Sequence, residues 1–264
     1  MGKQGAGGGA AAGGVSAGSQ RKETDMTLEG KRIVVLGGSS GIGLATAQAA
    51  AREGASVVIA SSRKARVDEA LAMLPAHAEG HVLDLADGAA VQALFARLGR
   101  FDHLVFTAGE ALQLGSLATT DVEAARRFFD VRYWGAYLAA RYGSGNIRAG
   151  GSIVFSSGIA GRRPRAGWAL GASVCSAMEG LTRALAVELA PIRVNVVAPG
   201  TVRTPLWGAM ADADREKMYR QAAERLPVGH VGEAAEIADA YLYLMRQTFG
   251  TGQVLVVDGG ATLV

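Results

Sequence analysis

The chain has 264 residues, of which 49% are apolar and 19% charged, with 27 Lys plus Arg against 24 Asp plus Glu. A formal net charge of +3 with no Lys/Arg block excludes a nucleic-acid binder, and the apolar share is enough for one large α/β domain. The single cysteine, Cys175, excludes an intrachain disulfide and fits a reducing, cytoplasmic setting, while no apolar run reaches the roughly 18–20 residues that a membrane helix needs.

Residues 1–25 are Gly- and Ala-rich, and Val15 is their one large apolar side chain between Met1 and Asp25. Such a segment buries too little surface to offset its ordering entropy, so a disordered tail is expected, followed by a single domain over 26–264. Met26 reads as a natural start; a functional flexible arm is the other reading. From Lys31 onward the pattern alternates. Ile33–Leu36 is a short apolar run of the kind found in buried strands, and 42–52 is Ala-rich and helical. Strands are predicted over 56–60, 81–85, 103–107, 152–155, 194–198 and 253–257. Helices are predicted over 67–74, 89–98, 121–142, 173–189 and 234–245. Strands buried on both faces and separated by helices imply a parallel sheet covered on each side: a doubly wound, seven-stranded α/β domain.

The first strand runs into Gly37-Gly38-Ser39-Ser40-Gly41-Ile42-Gly43. A glycine-rich turn between a strand and a helix permits a sharp bend at Gly37. At Gly41 and Gly43 it lets backbone amides approach a pyrophosphate, which the positive end of the helix then stabilises. The second strand ends in Ser61-Ser62-Arg63-Lys64, where a site for an unphosphorylated ribose ordinarily carries a carboxylate. Hydroxyls and cations there suit a 2′-phosphate, so NADP(H) is the expected cofactor, against the plainer reading of a solvated strand end. No metal site is expected.

These motifs resemble those of the short-chain dehydrogenase/reductase family, whose fold is the Rossmann type. The glycine turn is similar to the family's TGxxxGxG, with Leu36 in the Thr position. Asp84-Leu85 resembles the pair that contacts adenine, and Phe106-Thr107-Ala108-Gly109 resembles its NNAG stretch. Pro199-Gly200, with Val202 and Thr204 following, resembles the segment over the nicotinamide, and Val257-Asp258-Gly259-Gly260 the usual C-terminal ending. The resemblance implies cofactor contacts from Gly37, Ser39, Ser40, Gly41, Ile42, Ser62, Arg63, Lys64, Asp84, Leu85, Ala108, Gly109, Pro199, Gly200, Val202 and Thr204. It also implies a small-molecule substrate and a homotetramer or homodimer, packed through 121–142 and 173–189. Residues 204–226 resemble the family's substrate lid.

Family members use Asn, Ser, Tyr and Lys at the reaction centre. Ser157 occupies the Ser position, but the Tyr position falls on Gly171, the Lys position on Cys175 and the Asn position on Arg132. No Tyr lies between Tyr142 and Tyr219 and no Lys between Lys64 and Lys217 to replace them. Ser157 and Arg132 are therefore the expected catalytic residues, with Arg132 a clamp or electrostatic stabiliser, since its guanidinium stays protonated. Trp168 and Trp207 are the expected pocket walls, core packing being the other reading for Trp168. The run Arg162, Arg163, Arg165 reads either as an attractor of acidic substrates or as a solvated loop, and Cys175 reads as an inert thiol ahead of a nucleophile. Reducing a ketone needs a proton donor, whereas hydride addition to an iminium ion gives a neutral amine directly. Two functions fit these residues: hydride transfer to C=O or C=N, and cofactor holding without hydride transfer, as in a sensor or a cyclase.

Overall fold

The computed structural model describes Gly2 and residues 27–264. Apart from Gly2, the expected tail over 1–25 lies outside the described residues, as does Met26. Seven strands form one sheet, all pairs parallel: β1 (Arg32–Leu36), β2 (Ser56–Ser61), β3 (Glu79–Val82), β4 (Phe101–Phe106), β5 (Ile147–Ser156), β6 (Arg193–Pro199) and β9 (Val254–Val257). Their order is β3-β2-β1-β4-β5-β6-β9, so the chain reverses its direction of winding between β1 and β4. That is the switch point at which doubly wound sheets open a crevice beyond the strand ends. Between the strands run α1 (Gly41–Arg52), α2 (Lys64–Leu71), α3 (Gly88–Leu98), α4 (Val122–Arg127), α5 (Ala136–Gly143) and α6 (Ala169–Glu188); α7 (Asp212–Ala223) and α8 (Ala234–Arg246) follow β6.

The side-chain alternation of β1 divides the core. Val34 and Leu36 join Phe95, Phe101, Phe106 and Phe155 beneath α3, α5 and α6. Ile33 and Val35 face the other way, into Ile59, Ala47 and Tyr241 beneath α1 and α8. The predicted double-faced burial is thus realised, with all of Phe101–Phe106 and Arg193–Pro199 buried.

Besides shifted ends of α2 and α6, the observed elements depart from the predicted ones in three places. The helix predicted over 121–142 is two helices joined by a wider turn at Asp130–Gly135, where the Trp134 amide bonds the Phe129 carbonyl at 3.0 Å, five residues back. Apolar period alone does not register one inserted residue. β5 begins at Ile147 rather than 152: Ile147 pairs with Phe101, and the exposed, apolar-poor Arg148–Gly150 form an irregularity before pairing resumes at Ser152. β3 is shorter than predicted and ends at Val82, although the Leu83 amide still reaches Ser61 O at 3.1 Å. Two further short strands, β7 (Val202–Arg203) and β8 (Gly232–Glu233), pair with each other and anchor the segment around α7. Among the described residues no helix is long and apolar enough to cross a membrane.

Candidate cofactor and active site

The β1–α1 turn lies at the switch point. Gly37 has φ +89°, and a Cβ there would sit 2.7 Å from Ala108 Cα and 2.8 Å from Thr107 C, so only glycine lets the β1 and β4 loops touch. The amides of Gly41, Ile42 and Gly43 precede the first intrahelical bond, from Leu44 N to Ser40 O at 3.2 Å, and are free to bind an anion. No acidic side chain occupies the first turn of α1. Ser39 is buried, Ser40 and Ile42 are half-buried, and Thr204 stands above the turn, its Cβ 3.4 Å from where a Cβ on Gly41 would lie.

Ser62, Arg63 and Lys64 are exposed beyond β2, beside β1, and Lys64 pairs with the exposed Asp68, at 2.7 Å. Beyond β3 the Asp84 carboxylate accepts from Ala86 N at 2.9 Å, and Leu85 is buried beside it. Pro199 ends β6, the Gly200 amide donates to Val257 O at 3.0 Å, and Val202 is buried in β7. The fold therefore brings every predicted cofactor residue to the same end of the sheet. The glycine cradle, the unpaired amides and the two cations suit a phosphorylated dinucleotide in shape and sign.

The predicted reaction centre adjoins this cradle. Ser157 follows β5; its amide donates to Val197 O at 2.8 Å and its hydroxyl to Cys175 O at 3.0 Å, on α6. That hydroxyl proton is committed to the helix, so Ser157 offers a ligand lone pairs before it offers a proton. Cys175 lies against Ser157, and burial pushes its thiol above the usual range, which keeps it neutral and a poor nucleophile. At Gly171 a Cβ would meet nothing closer than Trp168 Cε3, at 3.7 Å, so the position is open.

The wide turn at 130–135 aims Arg132 into the centre. Its guanidinium lies on Gly109, where a Cβ would be 2.7 Å from Cζ, and stacks over the Phe128 ring at 5.2 Å. One Nη donates to the Glu110 carbonyl oxygen. Glu110 itself is a residue that sequence reasoning missed. Its Oε1 accepts the Val131 amide at 2.6 Å, and its Oε2 lies 3.5 Å from Arg132 Nε. The second contact permits charge attraction but not a hydrogen bond, and both of its atoms are buried without a hydrogen-bond partner. Burial lowers the Arg132 pKa and raises that of Glu110, each partly opposed by the charge of the other. The one sequence signal for Glu110 is a carboxylate placed directly after the Thr107-Ala108-Gly109 stretch.

Trp168 and Trp207 are brought together, centroids 6.3 Å apart, but Trp207 is buried and its indole N–H donates to Val202 O at 3.0 Å. With Tyr219, Val231 and Met218 they form a small core beneath the predicted lid segment, so Trp168 is the more accessible of the two. Arg162 pairs with Glu179 at 3.4 Å and Arg163 bonds Ala261 O, while Arg165 is exposed on the same loop. Tyr133, Trp134 and Tyr137 form an aromatic ladder with centroids 5.1 and 6.0 Å apart, and Tyr219 lies under Arg203 at 4.4 Å.

Glycine cradle, switch point and adjoining polar centre define a dinucleotide-binding α/β fold of the oxidoreductase kind. Comparison with known proteins agrees. A family described as enoyl-(acyl carrier protein) reductase matches residues 37–262. The chain is 36% identical over 253 residues to short-chain dehydrogenase/reductase ATR9 of Stachybotrys chlorohalonatus, covering 90% of this chain and 99% of that one. A crystal structure of a small-chain dehydrogenase in complex with NADPH is similar, at 37% identity and TM-score 0.76, covering 89% of this chain and all of that one (100%). The MalC reductase/Diels-Alderase of Malbranchea aurantiaca is similar too, at 31% identity and TM-score 0.83, over 92% of this chain and 100% of that one. The chain belongs to the short-chain dehydrogenase/reductase family.

Proposed function

We propose that this chain is an NADP(H)-dependent reductase that delivers hydride to a C=O or C=N acceptor, a cationic C=N being the favoured class. The observation that carries the reading is the contrast at the site. The cradle around Gly37 is intact, while Gly171 and Cys175 stand where family members carry Tyr and Lys, and Ser157 spends its proton on Cys175 O.

The amides of Gly41 and Ile42 with Ser39 and Ser40 would hold the pyrophosphate. Ser62, Arg63 and Lys64 would take the 2′-phosphate, Asp84 and Leu85 the adenine, and Ala108, Gly109, Pro199, Gly200, Val202 and Thr204 the nicotinamide half. When bound, the cofactor supplies the hydride. The NADPH complex of the similar dehydrogenase supports this choice of cofactor. Ser157 orients the acceptor through its lone pairs, Arg132 fixes the floor over Gly109, and Trp168 offers a flat apolar wall. No side chain in the centre is committed to donating a proton. A ketone, which must gain one as its oxygen becomes an alkoxide, is therefore disfavoured against an iminium, which must not. The test is a panel of ketones and cyclic iminium ions with NADPH, followed by loss of its absorbance. Turnover of iminium ions well above that of ketones supports the reading; fast ketone turnover with none for iminium ions refutes it.

A second reading is a cofactor-holding site that also, or only, templates a cyclisation. The similar protein from Malbranchea aurantiaca, named both reductase and Diels-Alderase, favours it. Tight NADPH binding with no oxidation across the panel would select this reading. We also propose a cytoplasmic homotetramer or homodimer. A concavity on the outer face of α6, lined by Phe129, Tyr133, Trp134 and Leu170, supports the assembly, which light scattering tests.

A further inference from the structure

We propose that Glu110 is a specificity-determining residue: its carboxylate neutralises Arg132, so that the reaction centre accepts a cationic acceptor. The inference rests on the proposed reading of this site and adds the residue that makes a cation tolerable there. A guanidinium held against Gly109, at the junction of the cradle and Ser157, would by itself repel an iminium ion. Side-chain exposures of 22% for Arg132 and 25% for Glu110 leave little water to screen that charge.

The carboxylate is built to stay where it is. The Val131 amide fixes Oε1 at 2.6 Å, on the same turn that carries Arg132, and the Arg132 guanidinium returns a bond to the Glu110 carbonyl oxygen. Yet Oε2 and Nε face each other at 3.5 Å without a hydrogen bond, each buried and unsatisfied. A pair serving only the fold would close that gap, since buried polar atoms are ordinarily bonded. Here the pair balances its charges across an unbonded gap that no ligand reaches, so that its role is electrostatic. Mutual neutralisation, not Arg132 alone, then sets the charge preference of the centre.

The experiment uses the full chain and two probes of similar shape, the cation N-methyl-dihydroisoquinolinium and neutral isochroman, titrated by calorimetry without cofactor and again with NADP+, so that no turnover intervenes. Glu110→Gln preserves the shape and the acceptor for Val131 N–H but removes the charge. We expect the ratio of cation to neutral affinity to fall by about tenfold or more, as for one unbalanced charge at short range in a half-buried site. Glu110→Gln/Arg132→Gln should return the ratio to within about twofold of the unsubstituted protein, a recovery that a merely structural role for Glu110 does not give. Arg132→Met with Glu110 intact should move the ratio the opposite way, and serves if the double variant does not fold. An unchanged ratio in Glu110→Gln, or a double variant no better than the single one, overturns the proposal. NADPH affinity, measured alongside, should be the same in the unsubstituted protein and Glu110→Gln. If the unsubstituted protein binds no NADPH, the proposed function fails, while the probe ratio still judges Glu110.

Discussion

Gly37→Ala perturbs the cofactor cradle at its tightest point. Two costs combine. With φ +89° at Gly37, an added side chain meets the left-handed penalty, about 1–2 kcal/mol. Its Cβ would also lie 2.7 Å from Ala108 Cα and 2.8 Å from Thr107 C, which are backbone atoms of the neighbouring β4 loop and cannot rotate away. Relieving that overlap adds about 1–3 kcal/mol, the usual range for overpacking. The sum, about 2–5 kcal/mol, is a large part of a typical domain's 5–15 kcal/mol, and corresponds to a fall of roughly 4–20 °C in Tm for a chain of this size. The strain is relieved most cheaply by separating the β1 and β4 loops, which also spreads the amides that would hold the phosphates. Differential scanning fluorimetry and NADPH calorimetry should therefore show a lower Tm together with an affinity loss of at least about 100-fold, as expected when several charge-assisted bonds lose alignment. Gly145→Ala, at an exposed position where a Cβ meets nothing within 4 Å, should change neither quantity. A Gly37→Ala protein with unaltered Tm and NADPH affinity would refute the account of the turn.

Three other outcomes follow from the same structure. Arg63→Ala should weaken NADPH binding by about 10- to 100-fold, leave NADH binding unchanged and not alter Tm, because the side chain is exposed; parallel titrations of the two cofactors read this. Arg132→Asn/Gly171→Tyr/Cys175→Lys restores the residues that the family uses beside Ser157. It should raise ketone reduction by about 100-fold or more, within the usual range for a positioned acid, and a folded, NADPH-binding variant without that gain would contradict the proton-donor argument. His103, bonded through Nδ1 to Ser152 Oγ at 2.9 Å, is driven down to about 3 by burial and secondarily by Arg193. The folded state stays unprotonated while the unfolded chain takes up a proton near the ordinary value of 6.5, so this contribution to stability is complete above that pH and declines as pH falls towards 3. The loss is about 2 kcal/mol by pH 5, and His103→Asn should flatten the acid limb of a denaturation-against-pH series between those limits.

The sheet was readable because its strands carry their burial in composition. Ile33–Leu36 and 194–198 are runs that fit nothing else, and the glycines between β1 and α1 mark the crevice. What escaped was set by single residues in three dimensions. The register change at Phe129–Trp134 leaves the apolar period of 121–142 intact, so one long helix was the natural reading, yet that change is what turns Arg132 towards Gly109. Arg132 was visible as a departure from the family pattern. Glu110 was not, because a carboxylate after the Thr107-Ala108-Gly109 stretch gains meaning only once its partner is known to approach from a segment 22 positions away. Trp207 reads from sequence as a pocket wall, but its burial and its bond to Val202 O make it part of the support under that segment.

The proposed reaction is hydride transfer to the carbon of a C=N bond. It is tested most directly by NADPH carrying deuterium at the transferable position, mixed with the protein and a cyclic iminium ion in a single turnover and analysed by mass spectrometry. The expected outcome is an amine product with one deuterium on the former C=N carbon and the cofactor recovered in its oxidised form. Cofactor that binds to the protein yet returns with all its label, beside unreduced iminium ion, would contradict it.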